Sequence, residues 1–235
     1  MMNPLYIFKT GSTYPDIAQA NGDFEAMIAA TLAPCPLPLR TIDIPAGEPL
    51  PAPADCAGVI ITGSHSMVSE RAPWSEATAA WLQQAAAQET PVFGICYGHQ
   101  LLAHAFGGTV DYHPQGSENQ TVSLSRLSAC DDDPIFAALP PQFSAHASHA
   151  QSALTLPEHA VLLCRGAHEA HHAFRLGRHM WGVQFHPEFN TDTLRRYIAR
   201  QQYAADTAAP HIAETPEAAA LLRRFADYAA TQSAP

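Results

Sequence analysis

The stretch PVFGICYGHQLLAHAFGG, residues 91–108, joins a short apolar run to a helix-forming run through Gly94-Ile95-Cys96-Tyr97-Gly98. PVFGIC reads as a buried strand and GHQLLAHAF as a helix, closed by Gly107-Gly108 where a left-handed cap is wanted. Between them Cys96 has two readings. It can be an ordinary packing residue, since free cysteine is among the most buried residue types. It can also be a nucleophile lifted above a sheet by a tight strand-to-helix turn, which the flanking glycines permit. A cysteine at the first turn of a helix has its thiolate favoured by the positive end of the dipole, and the free amides there can bind a developing oxyanion. The strand-to-helix context favours the nucleophile.

Upstream, the same alternation repeats. LYIF (5–8) is an apolar run ending in a Lys-Thr-Gly-Ser loop. Phe24, Met27, Ile28, Thr31 and Leu32 then recur at helical spacing over Asp23–Leu32. Leu39–Ile44 reads as a strand, the proline-rich 45–56 as a loop, GVIITGS (58–64) as a strand and Ser75–Glu89 as a helix. Strand, helix, strand, helix predicts an α/β fold with a parallel sheet covered on both faces and a site at the carboxyl ends of its strands. Beyond residue 109 the pieces shorten to TVSLSRL (121–127), AVLLC (160–164), HHAFRL (171–176) and MWGVQF (180–185), which predict a mixed or antiparallel extension. Two helices follow from Thr191, the second with Thr215 and Pro216 suited to N-cap and N1.

Composition narrows the function classes. The 235 residues suit one domain, with a core over about 1–190 and a helical extension over about 191–235. A formal net charge of −10, with Lys9 the single lysine, argues against nucleic acid as a partner. No apolar run reaches the length of a membrane span, and the N-terminus lacks the pattern of a secretory signal, so a cytoplasmic location is expected. Five cysteines without a CxxC pair suggest free thiols.

A second place carries chemistry. In Phe185-His186-Pro187-Glu188-Phe189 the proline keeps the segment extended, so His186 and Glu188 face the same side. An imidazole there can serve as general base to a thiol while the carboxylate orients it. The third place is Ile61-Thr62-Gly63-Ser64-His65, a strand end whose glycine can bring an amide close to a tetrahedral intermediate. The histidine-rich HEAHH (168–172) and HASH (146–149) lack the spacing of a metal site and read as polar loop histidines. Arg195-Arg196 and Arg223-Arg224 read as solvated helix faces.

Taken in order, VIITGSHS, PVFGICYGHQLLAHAFGG, SHAQS and WGVQFHPEF resemble the class I glutamine amidotransferases, in particular the glutaminase domain of GMP synthase and its free-standing relatives. The resemblance covers roughly residues 56–190. It implies a three-layer, flavodoxin-like α/β sandwich and a Cys96–His186–Glu188 triad. It further implies oxyanion-hole amides from Gly63 and Tyr97, and substrate contacts from Gln100, Ser148, His149, Ala150 and Gln151. Ala150 and Gln151 stand where the GMP synthase pattern has glycine and aspartate. The activity implied is hydrolysis of glutamine to glutamate and ammonia through a γ-glutamyl thioester, with no cofactor and no metal. An ATP-dependent synthetase subunit would be the ammonia acceptor, since the sequence has no GxxxxGK[ST] phosphate loop. A γ-glutamyl peptide hydrolase would use the same triad. An α/β-hydrolase would place the acid before the histidine, whereas here His186 precedes Glu188. A catalytically silent binding module is the remaining alternative.

Overall fold

Strand β1 (Leu5–Lys9) divides its side chains between two cores, Leu5 and Ile7 entering one and Tyr6 and Phe8 the other. The two-residue period of a strand demands this, and burial of both faces explains why the stretch is apolar throughout. The computed structural model describes residues 2–200 and 210–232; positions 201–209 and 233–235 of the expected C-terminal extension lie outside the described residues. Helices α1 (Pro15–Asn21) and α2 (Phe24–Leu32) follow β1. Next come β2 (Leu39–Asp43), β3 (Gly58–Ile61), α3 (Pro73–Ala87), β4 (Val92–Ile95) and α4 (Tyr97–Ala105).

The remainder of the chain is mostly strand. It runs through β5 (Thr109–Tyr112), β6 (Glu118–Arg126), β7 (Gln142–His149), β8 (Gln151–Thr155), β9 (Val161–Arg165), β10 (Ala173–Leu176) and β11 (Met180–Val183) to α5 (Thr191–Ala199) and α6 (Pro216–Gln232). The main sheet has the order β2-β1-β3-β4-β11-β10-β9-β6-β7. Its first five strands are parallel, and the rest pair antiparallel. β5 and β8 form a separate antiparallel ribbon. The α/β fold with a parallel half, an antiparallel extension and C-terminal helices is therefore the one expected, in a flavodoxin-like strand order.

Three layers result. On one side α2 and α6 cover the sheet, with Ile28, Leu32, Leu221, Leu222 and Phe225 buried against Leu5, Ile7 and Phe93. On the other α3 and α4 bring Trp81, Leu82, Leu101 and Leu102 against Tyr6, Phe8, Val59 and Val92. Each large side chain so buried contributes about 2 kcal/mol of transfer free energy, which holds α6 in place far from its neighbours in sequence. Arg223 and Arg224 are not merely solvated: Arg223 donates to the Thr31 and Ala33 carbonyls and Arg224 to that of Ile135, tying α6 to the end of α2 and to the loop before β7.

The winding of the parallel half reverses at β1, since β2 lies on one side of β1 and β3 on the other. Ligand crevices of such sheets form at this switch point, beyond the carboxyl ends of the strands. Thr10–Tyr14, Thr62–His65, Cys96 and His186 all follow the carboxyl ends of β1, β3, β4 and β11. Among the described residues, no helix is long and apolar enough to cross a membrane.

Four elements were not expected: α1, β5, β7 and β8. β7 is built of Gln-Phe-Ser-Ala-His-Ala-Ser-His, almost without β-branched residues, so nothing in its propensity marks a strand. It forms through its ladder with β6, which runs from Glu118↔His149 to Ser125↔Gln142. The HASH histidines therefore sit in a strand rather than a loop, with His146 and His149 buried.

Candidate active site

Cys96 occupies the N-cap position of α4 with φ 50° and ψ −95°, a backbone conformation that costs a non-glycine residue energy. The turn is possible because of its glycines: a Cβ on Gly94 would lie 2.4 Å from the Gly98 carbonyl oxygen, and one on Gly98 would lie 2.7 Å from that of Ile61. Strand and helix thus meet at backbone contact. The Cys96 amide donates to the Val183 carbonyl of β11 and its own carbonyl accepts from the Gln100 amide. The thiol is held at the open end of the sheet, 3.9 Å from the Ser148 carbonyl oxygen.

His186 follows β11, the strand next to β4, and the sheet therefore delivers its ring to Cys96. Its Nδ1 lies 2.8 Å from Glu188 Oε1. A carboxylate only accepts, so Nδ1 carries the proton and Nε2 is left for the thiol. The ring stacks on Phe189 at a centroid distance of 4.1 Å, and the His186 amide donates to the His146 carbonyl. Burial opposes a charged imidazole, but the Glu188 carboxylate and the Cys96 sulfur, which hydrogen-bonds the ring, outweigh it and raise the His186 pKa to about 10. The pair is thereby suited to an imidazolium beside a thiolate.

Gly63 closes the triangle. A Cβ there would lie 2.9 Å from His186 Cε1 and 3.7 Å from Cys96 Cβ. Its position is fixed by Thr10, whose hydroxyl lies within hydrogen-bond distance of the Thr62 and Gly63 carbonyls, and by Ser64, whose hydroxyl donates to the Thr10 carbonyl. The Tyr97 amide is at the first position of α4, where helix N–H groups lack intrahelical partners. The Tyr97 ring is buried, donates its hydroxyl to Ser75 at 2.6 Å and stacks near Trp74, leaving only the backbone of this residue for the site.

A cavity of about 220 Å³ opens at this point. One wall is polar: Gln100, Asn119, Ser148 and Gln151, with His149 and Ala150 beside them, all line it. The Gln100 side-chain amide donates to the Gln151 carbonyl at 2.7 Å and to Gln184 Oε1 at 3.0 Å. It therefore holds the 148–151 segment in place as well as facing the cavity. Ser148 donates to Asn119 Oδ1 at 2.7 Å, and the Gln151 side chain donates to Ser69. The opposite wall is aromatic, formed by Tyr14, Phe24, His65 and Tyr197 around His186.

Residues 21–205 match the family described as glutamine amidotransferase class-I. The chain belongs to this family. A GMP synthase (glutamine-hydrolyzing) of Thermomicrobium roseum is 36% identical over 143 residues, 61% of this chain and 25% of that protein. A GMP synthase (glutamine-hydrolyzing) subunit of Methanothermobacter thermautotrophicus is 30% identical over 155 residues, 64% of this chain and 78% of its relative. The matched region thus spans about a quarter of the first and most of the second. The crystal structure of a glutamine amido transferase from Methylobacillus flagellatus has the same fold, with a TM-score of 0.75 at 23% identity, covering 98% of this chain and 94% of that one.

In this amidotransferase every residue predicted for the site borders one region. Cys96, His186, Gln100, Ser148, His149, Ala150 and Gln151 line the cavity, Gly63 abuts Cys96 and His186, and Glu188 stands behind His186. His149 reaches it from the far side of a buried cluster: its Nε2 is 3.3 Å from Glu118 Oε2, and His172 Nε2 is 3.2 Å from the same atom. Burial opposes the Glu118 charge, but these two imidazoles hold its pKa down to about 2. His172 and Glu169 are buried, so HEAHH is not the set of polar loop histidines its composition suggested. Sequence reasoning missed Glu118, Asn119, Tyr14 and Tyr197, which come from separate segments and carry no local motif. A chain-order reading had one handle on Tyr197, its apolar helical spacing with Leu194 and Ile198.

Proposed function

We propose that this chain hydrolyses the side-chain amide of glutamine to glutamate and ammonia, with Cys96 as nucleophile, His186 as acid and base, and Glu188 as the group that orients and charges His186. The thiolate of Cys96 attacks the amide carbon, and the oxyanion is received by the Gly63 and Tyr97 amides. Collapse breaks the C–N bond as His186 gives its proton to the nitrogen, releasing ammonia and leaving a γ-glutamyl thioester. Water, deprotonated by His186, then attacks the thioester to give glutamate and restore the thiol. The polar wall of Gln100, Asn119 and Ser148 receives the amino-acid end of the substrate. These steps use side chains and water alone.

The observation that carries the reading is the placement of Cys96 and the Glu188-bound His186 on adjacent parallel strands, β4 and β11, with Val183 opposite Ile95 just before both residues. The names of the relatives support a partner as well: an ATP-dependent synthetase subunit that consumes the ammonia. The test is glutamate release from glutamine by Cys96→Ser. A fall of at least about a thousandfold, in a folded protein, is expected; release at the wild-type rate overturns the mechanism.

A further inference from the structure

The cavity beside Cys96 is larger on one side than the release of ammonia requires. With the thioester carbon at Cys96 and the amino-acid end on the polar wall, the scissile nitrogen must lie within hydrogen-bond reach of His186, because His186 protonates it. Any substituent on that nitrogen then continues towards the wall that surrounds His186, formed by Tyr14, His65 and Tyr197.

That wall is a set of rings held in fixed positions. Tyr14 lies 4.4 Å from His65 and 5.6 Å from Tyr197, centroid to centroid. The Tyr197 hydroxyl is 2.6 Å from Thr13 Oγ1 and 3.3 Å from His65 Nε2, so its polar end is occupied and its ring serves as surface. The Arg200 guanidinium sits 4.1 Å over the Tyr14 ring, and Arg200 pairs with Asp16. Burial and the nearby His186 hold His65 below the ordinary histidine pKa, which keeps its ring neutral near pH 7. Ammonia has nothing to place there. Rings meet other rings in edge or offset geometry at such distances.

We propose that Tyr14, His65 and Tyr197 form a leaving-group subsite, and that the site cleaves γ-glutamyl amides of primary amines bearing an aromatic ring. This rests on the thiol chemistry assigned to Cys96 above. The Cys96 sulfur bonds to the γ-carbonyl carbon, the C–N bond breaks with its electron pair on nitrogen, and His186 supplies the proton with which the arylalkylamine departs. Water then converts the thioester to glutamate, as with glutamine.

The experiment compares kcat/KM for γ-glutamyl benzylamide and γ-glutamyl methoxyethylamide, whose leaving amines have closely matched basicity, with glutamine as a third substrate. The benzylamide is expected to be preferred by about tenfold, the scale of one well-placed aromatic contact. Tyr14 is only partly buried, so Tyr14→Ala is expected to fold and to bring the benzyl-to-alkyl ratio close to one, whereas Tyr14→Phe retains it. Equal kcat/KM for the two amides in the unmutated protein, alongside turnover of glutamine, overturns the subsite. Absence of turnover on all three substrates instead overturns the hydrolase reading, and the subsite with it.

Discussion

Gly63→Ala tests the geometry of the site at one methyl group. The added Cβ would stand 2.9 Å from His186 Cε1, whereas carbon atoms in favourable contact lie about 3.5–4.0 Å apart. The ring must recede by roughly 0.6 Å or more. It has little room to do so, being stacked on Phe189 at 4.1 Å and held to Glu188 at 2.8 Å, with its backbone amide bonded to His146. Overpacking of this kind costs about 1–3 kcal/mol of stability. The displacement also draws the imidazole off the Cys96 thiol, and a misplacement approaching 1 Å reduces turnover by about a hundredfold. Steady-state kinetics on glutamine, with circular dichroism to confirm folding, should show kcat falling by about that factor while KM moves much less. A folded Gly63→Ala protein with kcat within about threefold of the unmutated one would refute the argument.

Other consequences are equally direct. Glu188→Gln removes the charge that raises His186, leaving burial dominant, so the ring should titrate below 6.5 instead of near 10. Because a raised folded pKa stabilises below the unfolded value and is lost as pH rises through the folded one, the stability gap between the two proteins should be widest near neutrality. It should close towards pH 10, as chemical denaturation across that range can show. Glu118 is the opposite case: its pKa is depressed from 4.5 to about 2, so the stability that Glu118→Ala forfeits should be constant above pH 5 and vanish as pH falls to about 2. Asp133→Ala removes a buried carboxylate that accepts from Arg175, Trp181 and the amides of Ile135 and Phe136, each at 2.9–3.0 Å; a loss of about 3–5 kcal/mol is expected in urea unfolding. Cys96→Gly should be more stable than Cys96→Ala by about 1 kcal/mol, since only glycine adopts φ 50° and ψ −95° without strain.

The parts of the site that sequence made legible are those written in a single local stretch. Cys96 with Gly94 and Gly98, and His186 with Pro187 and Glu188, each state their geometry within five residues, because a tight turn needs its glycines and an extended segment its proline. Apolar β1, β3 and β4 were equally plain, being buried on both faces. β7 was not, since Ala, Ser and His become a strand only through pairing with β6. The walls of the cavity were legible only in part. Gln100 was expected at the substrate, yet its amide protons go to Gln151 and Gln184, partners that lie 51 and 84 residues away. Tyr14, His65 and Tyr197 meet because loops and a helix converge at the strand ends, and Glu118 meets His149 and His172 across the extension. Contacts of that kind are set by topology, which local periodicity does not encode.

The central claim is that glutamine acylates Cys96. Mixing the protein with glutamine, quenching in acid within the first turnovers and sequencing its peptides by mass spectrometry tests this directly. A γ-glutamyl group on the peptide carrying Cys96, absent when Cys96 is replaced by alanine, is the predicted result. Steady release of glutamate from glutamine with no acyl group on Cys96, and undiminished in Cys96→Ala, would contradict it.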